Sequence, residues 1–339
     1  MNFETLGQQA TRAGKAAGCA AGKAGVAAGR ASRVVAVRGL RMMADQATPD
    51  VPVPPAARSV DLPGRGTTHV LDLPGPTPDA PVVLLTHAIA ATGPLTWFTV
   101  LAELQTRYRV VTFDQRWHGR GIRSATFSLE DCADDAVAVL DALDVDQAVV
   151  IGYSMGGAVA QLMYKRHPER VSGLVLCSTT ARWDGHLGER VFFRLLGLAS
   201  EGLISVAADK VAAHADTILP PSDDAAEAGL RAWCMSELRS TSLWSLPVVM
   251  AELGKFDGTT WLADIDVPTG VLVTSSDKAI PAERQLHLAE SIPGAIMRYT
   301  PGGHTSLVFD MTHWKPVFLE LVDEVVDQTA VEVSPSAVS

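Results

Sequence analysis

A short apolar strand running straight into a Gly-x-Ser-x-Gly turn constrains this chain more than any other feature. Val149-Val150-Ile151 leads into Gly152-Tyr153-Ser154-Met155-Gly156, and the small residues Gly157-Ala158-Val159-Ala160 open a helix. This is the layout of a nucleophile elbow, in which a sharp strand-to-helix turn holds the serine out of the sheet. A side chain at Gly152 or Gly156 would crowd the turn. The helix N-terminus behind Ser154 favours negative charge developing there.

Strands and helices alternate around that turn. Ser59–Leu62 and Thr68–Leu73 read as an opening hairpin, Val82–Thr86 as a buried strand, Trp97–Leu104 as a helix and Tyr108–Phe113 as the next strand. A helix follows over Ser128–Leu143, with Ala136, Val139, Leu140 and Leu143 on its apolar face, and then a strand over Val171–Cys177. Such alternation predicts an α/β fold with a mostly parallel, doubly wound sheet. The rhythm stops over 181–256, where Val191–Leu198, Ala225–Leu238 and Leu243–Leu253 carry helical patterns. It resumes at Gly270–Thr274 and Ala295–Tyr299, and a helix from Trp314 to Val326 closes the fold. The expected organisation is a basic arm (1–47), a core in two parts (48–180 and 257–328), a helical cap insertion (181–256) and a tail (329–339).

The formal net charge of −10 is unevenly spread. Residues 1–44 carry seven Lys and Arg against Glu4 alone, while the rest holds 21 basic and 37 acidic residues. An acidic body argues against a nucleic-acid partner. The arm is rich in Ala, Gly and Arg. It reads first as a flexible, solvated segment, since each interior glycine costs a helix roughly 1 kcal/mol. The alternative is a basic helix resting on an anionic membrane or, through the four-residue repeat Gly14, Gly18 and Gly22, on a partner helix. Pro49, Pro52, Pro54 and Pro55 form a stiff boundary after it. Cys19, Cys132, Cys177 and Cys234 are widely spaced and form no metal signature. That spacing fits a reducing cytoplasm. No apolar run reaches the length of a membrane-spanning helix, so the expected location is cytoplasmic, with the arm as the candidate membrane contact.

An activated serine needs a base, and the base needs an orienting carboxylate. In open α/β sheets, such groups collect in loops beyond the strand carboxyl ends. Asp277 follows Gly270–Thr274, and His304 follows Ala295–Tyr299 in Pro301-Gly302-Gly303-His304. Asp257, Asp264 and Asp266 are rivals that precede the strand, and His313 is a rival further from its strand end. Two N–H donors are needed for an oxyanion. Met155 supplies one, and Ile89, in His87-Ala88-Ile89-Ala90, is chosen for the other, with Ala88 as fallback.

Pro81 to about Arg182 and Gly270 to Phe318 resemble the α/β-hydrolase superfamily of serine hydrolases. Asp114-Gln115-Arg116-Trp117-His118-Gly119-Arg120-Gly121 is similar to its D-x-R-G-H-G-x-S loop, with Trp117 and Gly121 in place of Gly and Ser. Gly152–Gly157, Pro168–Val171 and Leu174–Cys177 resemble the branch holding 3-oxoadipate enol-lactonases and carboxylesterases. His87-Ala88 departs from the usual His-Gly. The resemblance implies a serine esterase with a Ser154–His304–Asp277 triad and an acyl-enzyme. No phosphate-binding Gly loop, metal cluster or nucleotide signature is present, so no cofactor or metal is expected. A small-molecule ester is the expected partner. Trp183, Trp233 and Trp244 are the pocket candidates. A lactonase or C–C bond hydrolase would use the same triad, and a non-catalytic binding protein on this scaffold is the reading from another class.

Overall fold

Alternating apolar residues on the central strands face two separate helical layers. In the computed structural model, which describes residues 51–215, 217 and 229–332, these strands form the middle of one sheet. The described residues lie within one compact unit, Pro49–Ser339. The basic arm, residues 48–50 at the start of the core, residues 216 and 218–228 of the insertion (with the first four residues of the expected Ala225–Leu238 helix) and residues 333–339 of the tail lie outside the described residues.

In chain order the strands are β1 (Arg58–Leu62), β2 (Gly66–Leu73), β3 (Val82–Thr86), β4 (Arg109–Phe113), β5 (Ala148–Tyr153), β6 (Val171–Cys177), β7 (Thr269–Thr274) and β8 (Ile296–Thr300). The helices are α1 (Gly93–Trp97), α2 (Leu101–Gln105), α3 (Leu129–Ala142) and α4 (Met155–Arg166), then α5 (Leu187–Glu201), α6 (Ile204–Ala215), α7 (Leu230–Ser240) and α8 (Leu246–Leu253), and finally α9 (Ala282–Glu290), α10 (Ser306–Phe309) and α11 (Met311–Glu332). The spatial order is β1-β2-β4-β3-β5-β6-β7-β8. The β1–β2 and β2–β4 pairs are antiparallel, and the pairs from β4–β3 to β7–β8 are parallel.

Successive side chains of a strand point to opposite faces. Leu84, Val111, Val150 and Leu174 therefore join the cluster that packs α3, α4 and α8, while Val83, Val110, Val149 and Val175 join the one that packs α1 and α11. On the second face, Trp314 stacks on Phe318 with ring centroids 4.6 Å apart, and Phe318 stacks on Trp97 at 5.7 Å. Burial on both sides suits parallel strands, whose connecting helices cover both faces.

The sheet matches the expected alternation, and three helical segments differ from it. The span 97–104 divides into α1 and α2, because Thr92 caps Leu95 N–H and starts a helix early, with Pro94 in its first turn. The helix α6 lies within the expected helical insertion but between its named patterns, since its alanine-rich face carries little periodic bulk. The closing helix runs to Glu332, past Val326 and into the segment read as tail, because polar residues continue a helix without an apolar signal. Among the described residues between β6 and β7 lie the four helices α5 to α8. The base of this insertion is pinned where Gly258 N–H donates to the Ala181 carbonyl at 2.8 Å.

Candidate active site

Ser154 stands between β5 and α4 with φ 55° and ψ −117°, a conformation few L-residues adopt. Its surroundings enforce that shape. A Cβ on Gly156 would meet the Thr86 carbonyl oxygen at 2.2 Å, and one on Gly152 would meet the Gly156 carbonyl oxygen at 2.5 Å. Both obstacles are backbone, so neither can yield. The Ser154 N–H donates to the Cys177 carbonyl at 3.0 Å, and the Ser154 carbonyl accepts from the Thr179 hydroxyl at 2.8 Å. Strand β6 thus holds the turn from the other side.

The three expected side chains meet. The Ser154 hydroxyl lies 2.9 Å from His304 Nε2, and His304 Nδ1 lies 2.7 Å from Asp277 Oδ2. An ionised carboxylate can only accept, so His304 carries its proton on Nδ1 and offers a lone pair from Nε2 to the serine hydroxyl. Asp277 is buried, yet its other oxygen accepts the Ala279 and Ile280 N–H groups at 2.8 and 2.9 Å. Gln285 on α9 donates to Asp277 Oδ2 at 3.3 Å and to the Ile280 carbonyl at 2.7 Å, bracing the loop. Tyr153 donates its hydroxyl to the His304 carbonyl at 2.6 Å. Burial pushes that phenol's pKa up, which keeps it a donor. Neither Gln285 nor Tyr153 was singled out in sequence. Tyr153 occupies a variable slot of the elbow motif, and Gln285 is one polar residue on an unremarked helix.

The rival residues point elsewhere. His313 is exposed and pairs with Asp310 on its own turn, with Nδ1 2.7 Å from Oδ1. Asp266 accepts the Tyr164 hydroxyl at 2.6 Å, and Asp257 is taken up by Thr259.

The loop after β3 runs directly beside the elbow, since both the Thr86 and the His87 carbonyls lie within 3 Å of the ideal Cβ position of Gly156. Met155 is the first residue of α4, so its N–H has no acceptor within the helix. Ile89 is half-buried in the loop and packs on the core. The fallback donor, Ala88 N–H, instead reaches the Thr96 hydroxyl at 3.3 Å. His87 fixes the loop's start. Its Nε2 accepts the Gln115 N–H at 2.9 Å, so its Nδ1 donates to the Ala88 carbonyl at 2.7 Å. Full burial holds the His87 pKa well below the usual histidine value, which preserves this neutral tautomer.

The D-x-R loop braces the same region. Arg116 grips Asp135 of α3 through two bonds of 2.7 and 2.9 Å. Asp114 accepts the Gly93 and Arg120 N–H groups at 3.0 and 2.8 Å. Burial first, and then the nearby Glu237 carboxylate, raise the Asp114 pKa to about 7. Glu237, from α7, takes the Thr92 hydroxyl at 2.6 Å and Arg120 at 2.8 Å.

The three tryptophans have separate surroundings. Trp233 is buried and meets Phe98 edge-on, with centroids 5.7 Å apart. Trp183 is half-buried against the core, whereas Trp244 is 50% exposed. Among the described residues, no group of three or more His, Cys, Asp or Glu side chains is placed to hold a metal ion. No single described helix is long and apolar enough to cross a membrane.

A serine hydroxyl held by a neutral imidazole, itself held by a buried carboxylate, can be deprotonated as it attacks an electrophilic carbonyl. The comparisons identify the family and the fold. The family model described as alpha/beta hydrolase fold matches residues 81–310. A putative carbamate hydrolase RutD from Caulobacter sp. (strain K31) is 30% identical over 240 residues, covering 68% of this chain and 86% of that protein. The solved enol-lactonase from Burkholderia xenovorans LB400 superposes with a TM-score of 0.60 at 22% identity, over 78% of this chain and 98% of its own. A thermophilic esterase from Thermogutta terrifontis gives a TM-score of 0.58 at 22% identity, over 80% and 99%. With the family match spanning most of the described residues around an elbow of this geometry, the chain belongs to the α/β-hydrolase family and is an enzyme of that superfamily.

Proposed function

We propose that the chain is a serine hydrolase of carboxylic esters. The observation that carries this reading is the continuous relay from Asp277 through His304 to the Ser154 hydroxyl, at 2.7 and 2.9 Å. Ser154 attacks the ester carbonyl as His304 Nε2 takes its proton. The tetrahedral oxyanion is held by the N–H groups of Met155 and Ile89. The imidazolium then protonates the leaving alcohol, leaving an acyl-serine. Water, activated by His304, attacks the acyl-serine and restores the enzyme. Asp277 keeps the imidazole in the productive tautomer and stabilises its charged form. Trp183 and Trp233 are the candidate walls of an apolar pocket.

A second reading keeps the triad and changes the substrate to a lactone or a carbamate. It is supported by the names of the relatives, a putative carbamate hydrolase and an enol-lactonase. Steady-state rates on p-nitrophenyl esters of rising acyl length, beside small lactones and aryl carbamates, separate the two. The proposal expects the highest kcat/KM on an ester, with a loss of roughly 10^4-fold or more in Ser154→Ala. A higher kcat/KM on a lactone or carbamate would favour the second reading. Activity on all three classes that survives Ser154→Ala would overturn both.

A further inference from the structure

Six of the ten exposed large apolar side chains among the described residues lie on α5 and α6. Four of them form one stripe along α5. Leu187, Val191, Leu195 and Leu198 are 77%, 51%, 62% and 63% exposed, and at about 100° per residue they fall within an arc of about 80°. Phe192, 53% exposed, widens the stripe on one flank. An apolar surface of this kind on an otherwise polar body marks a site of contact.

The opposite face of α5 already has a partner. Phe193 packs so closely on Gly254, at the end of α8, that a Cβ there would lie 2.4 Å from the ring. The following helix, α6, buries Ala207 and Val211 in the core. Together α5 and α6 have the length and apolarity of a membrane span, but they are bent by 74° at their junction. With α6 held against the body, α5 is free to lie on an apolar surface and not to cross it.

The charges beside the stripe select the surface. Arg194 and Arg190 lie about 20° and 60° beyond Leu187 on the same wheel, both exposed on one edge. Asp184 pairs with Arg182 and Glu189 with Arg284 at 2.5 Å, and Arg190 Nε also donates to the Asp184 carbonyl at 3.1 Å. Glu201, exposed at the C-terminal end of α5, shares the arginine edge and leaves it net positive. Two arginines along one edge of an apolar stripe can extend their guanidinium groups to lipid phosphates while the stripe enters the acyl boundary. A single weak anchor gives only marginal membrane binding, and stable attachment takes two signals. The second is present in the sequence, as seven Lys and Arg against one Glu in residues 1–44.

We propose that the exposed face of α5 docks on an anionic lipid bilayer, with Leu187, Val191, Leu195 and Leu198 in the interface and Arg190 and Arg194 on the headgroups. This site is separate from the elbow and does not depend on the ester reading. The test is flotation of the full-length chain with phosphatidylcholine vesicles containing 30% phosphatidylserine, alongside vesicles of phosphatidylcholine alone. Wild type is expected to float with the anionic vesicles. Changing the four stripe residues together to Ser should cut the bound fraction at least fivefold, with circular dichroism and melting midpoint unchanged. Arg190→Gln with Arg194→Gln should weaken binding to anionic vesicles and leave any binding to neutral vesicles unaltered. Equal flotation of wild type and the four-Ser variant would overturn the proposal, since the arm alone would then suffice. So would light scattering that shows a wild-type dimer dissolved by the same four changes, because the stripe would then be covered by a second copy.

Discussion

Glu237 accepts the Thr92 hydroxyl at 2.6 Å, so a helix of the insertion holds the residue that caps α1 and ends the loop after β3. Glu237 and Arg120 are both nearly buried, and their ion pair at 2.8 Å secures the same point. The grip therefore anchors the end of the loop that carries Ile89, the proposed second oxyanion donor. Removing one partner of a buried pair costs roughly 3–5 kcal/mol. Glu237→Ala is expected to lower kcat at least tenfold per titrated site, with KM changing much less, because the proposed oxyanion contact of Ile89 would be made only in the transition state. Glu237→Gln retains an acceptor for Thr92 and should recover much of kcat. An unchanged kcat in Glu237→Ala would show that the contact only tethers the insertion.

The positive φ of Ser154 predicts an unusual stability order. A residue held in such a region costs roughly 1–3 kcal/mol, and glycine relieves that cost at the expense of unfolded-state entropy. Ser154→Gly should therefore be more stable than Ser154→Ala by about 1 kcal/mol in urea denaturation. The reverse order would mean that the turn is relaxed.

His118 gives a pH dependence of known sign. It is fully buried and donates from Nδ1 to the Arg116 carbonyl at 3.0 Å, and burial lowers its pKa to about 4. A histidine whose folded pKa is depressed binds fewer protons folded than unfolded between about 6.5 and about 4. It contributes stability above that window and loses it as the pH falls through it, by up to roughly 3 kcal/mol. His118→Gln should gain stability relative to wild type as the pH drops from 7 to 4. A difference between the two that does not change with pH would remove His118 from the account. Asp114, with its pKa raised to about 7, acts in the opposite direction, so wild type alone would hide the effect.

The elbow, the strand order of charged loops and the sheet were legible because each has a local signature. Glycines at fixed offsets mark the turn, apolar runs mark buried strands, and Asp277 and His304 follow strand ends. The braces were not legible. Glu237 meets Thr92 across 145 positions, and Gln285 supports Asp277 from a helix with no distinctive pattern. Such contacts arise from tertiary packing, which periodicity does not encode. The choice of Ile89 rests on its place in the loop after β3 alone, since a backbone donor leaves no side-chain signature. The three tryptophans show the limit from the other side. Aromatic residues in an insertion pack, line pockets or face solvent, and the sequence pattern does not separate these: Trp233 is buried against Phe98, whereas Trp244 is half exposed.

The central claim is that Ser154 is a nucleophile activated by His304. The most direct measurement is covalent labelling with a fluorophosphonate, followed by peptide mass mapping. The account predicts one stoichiometric adduct on Ser154, formed far more slowly in His304→Ala and not at all in Ser154→Ala. An adduct on another residue, or labelling that persists in Ser154→Ala, would contradict it.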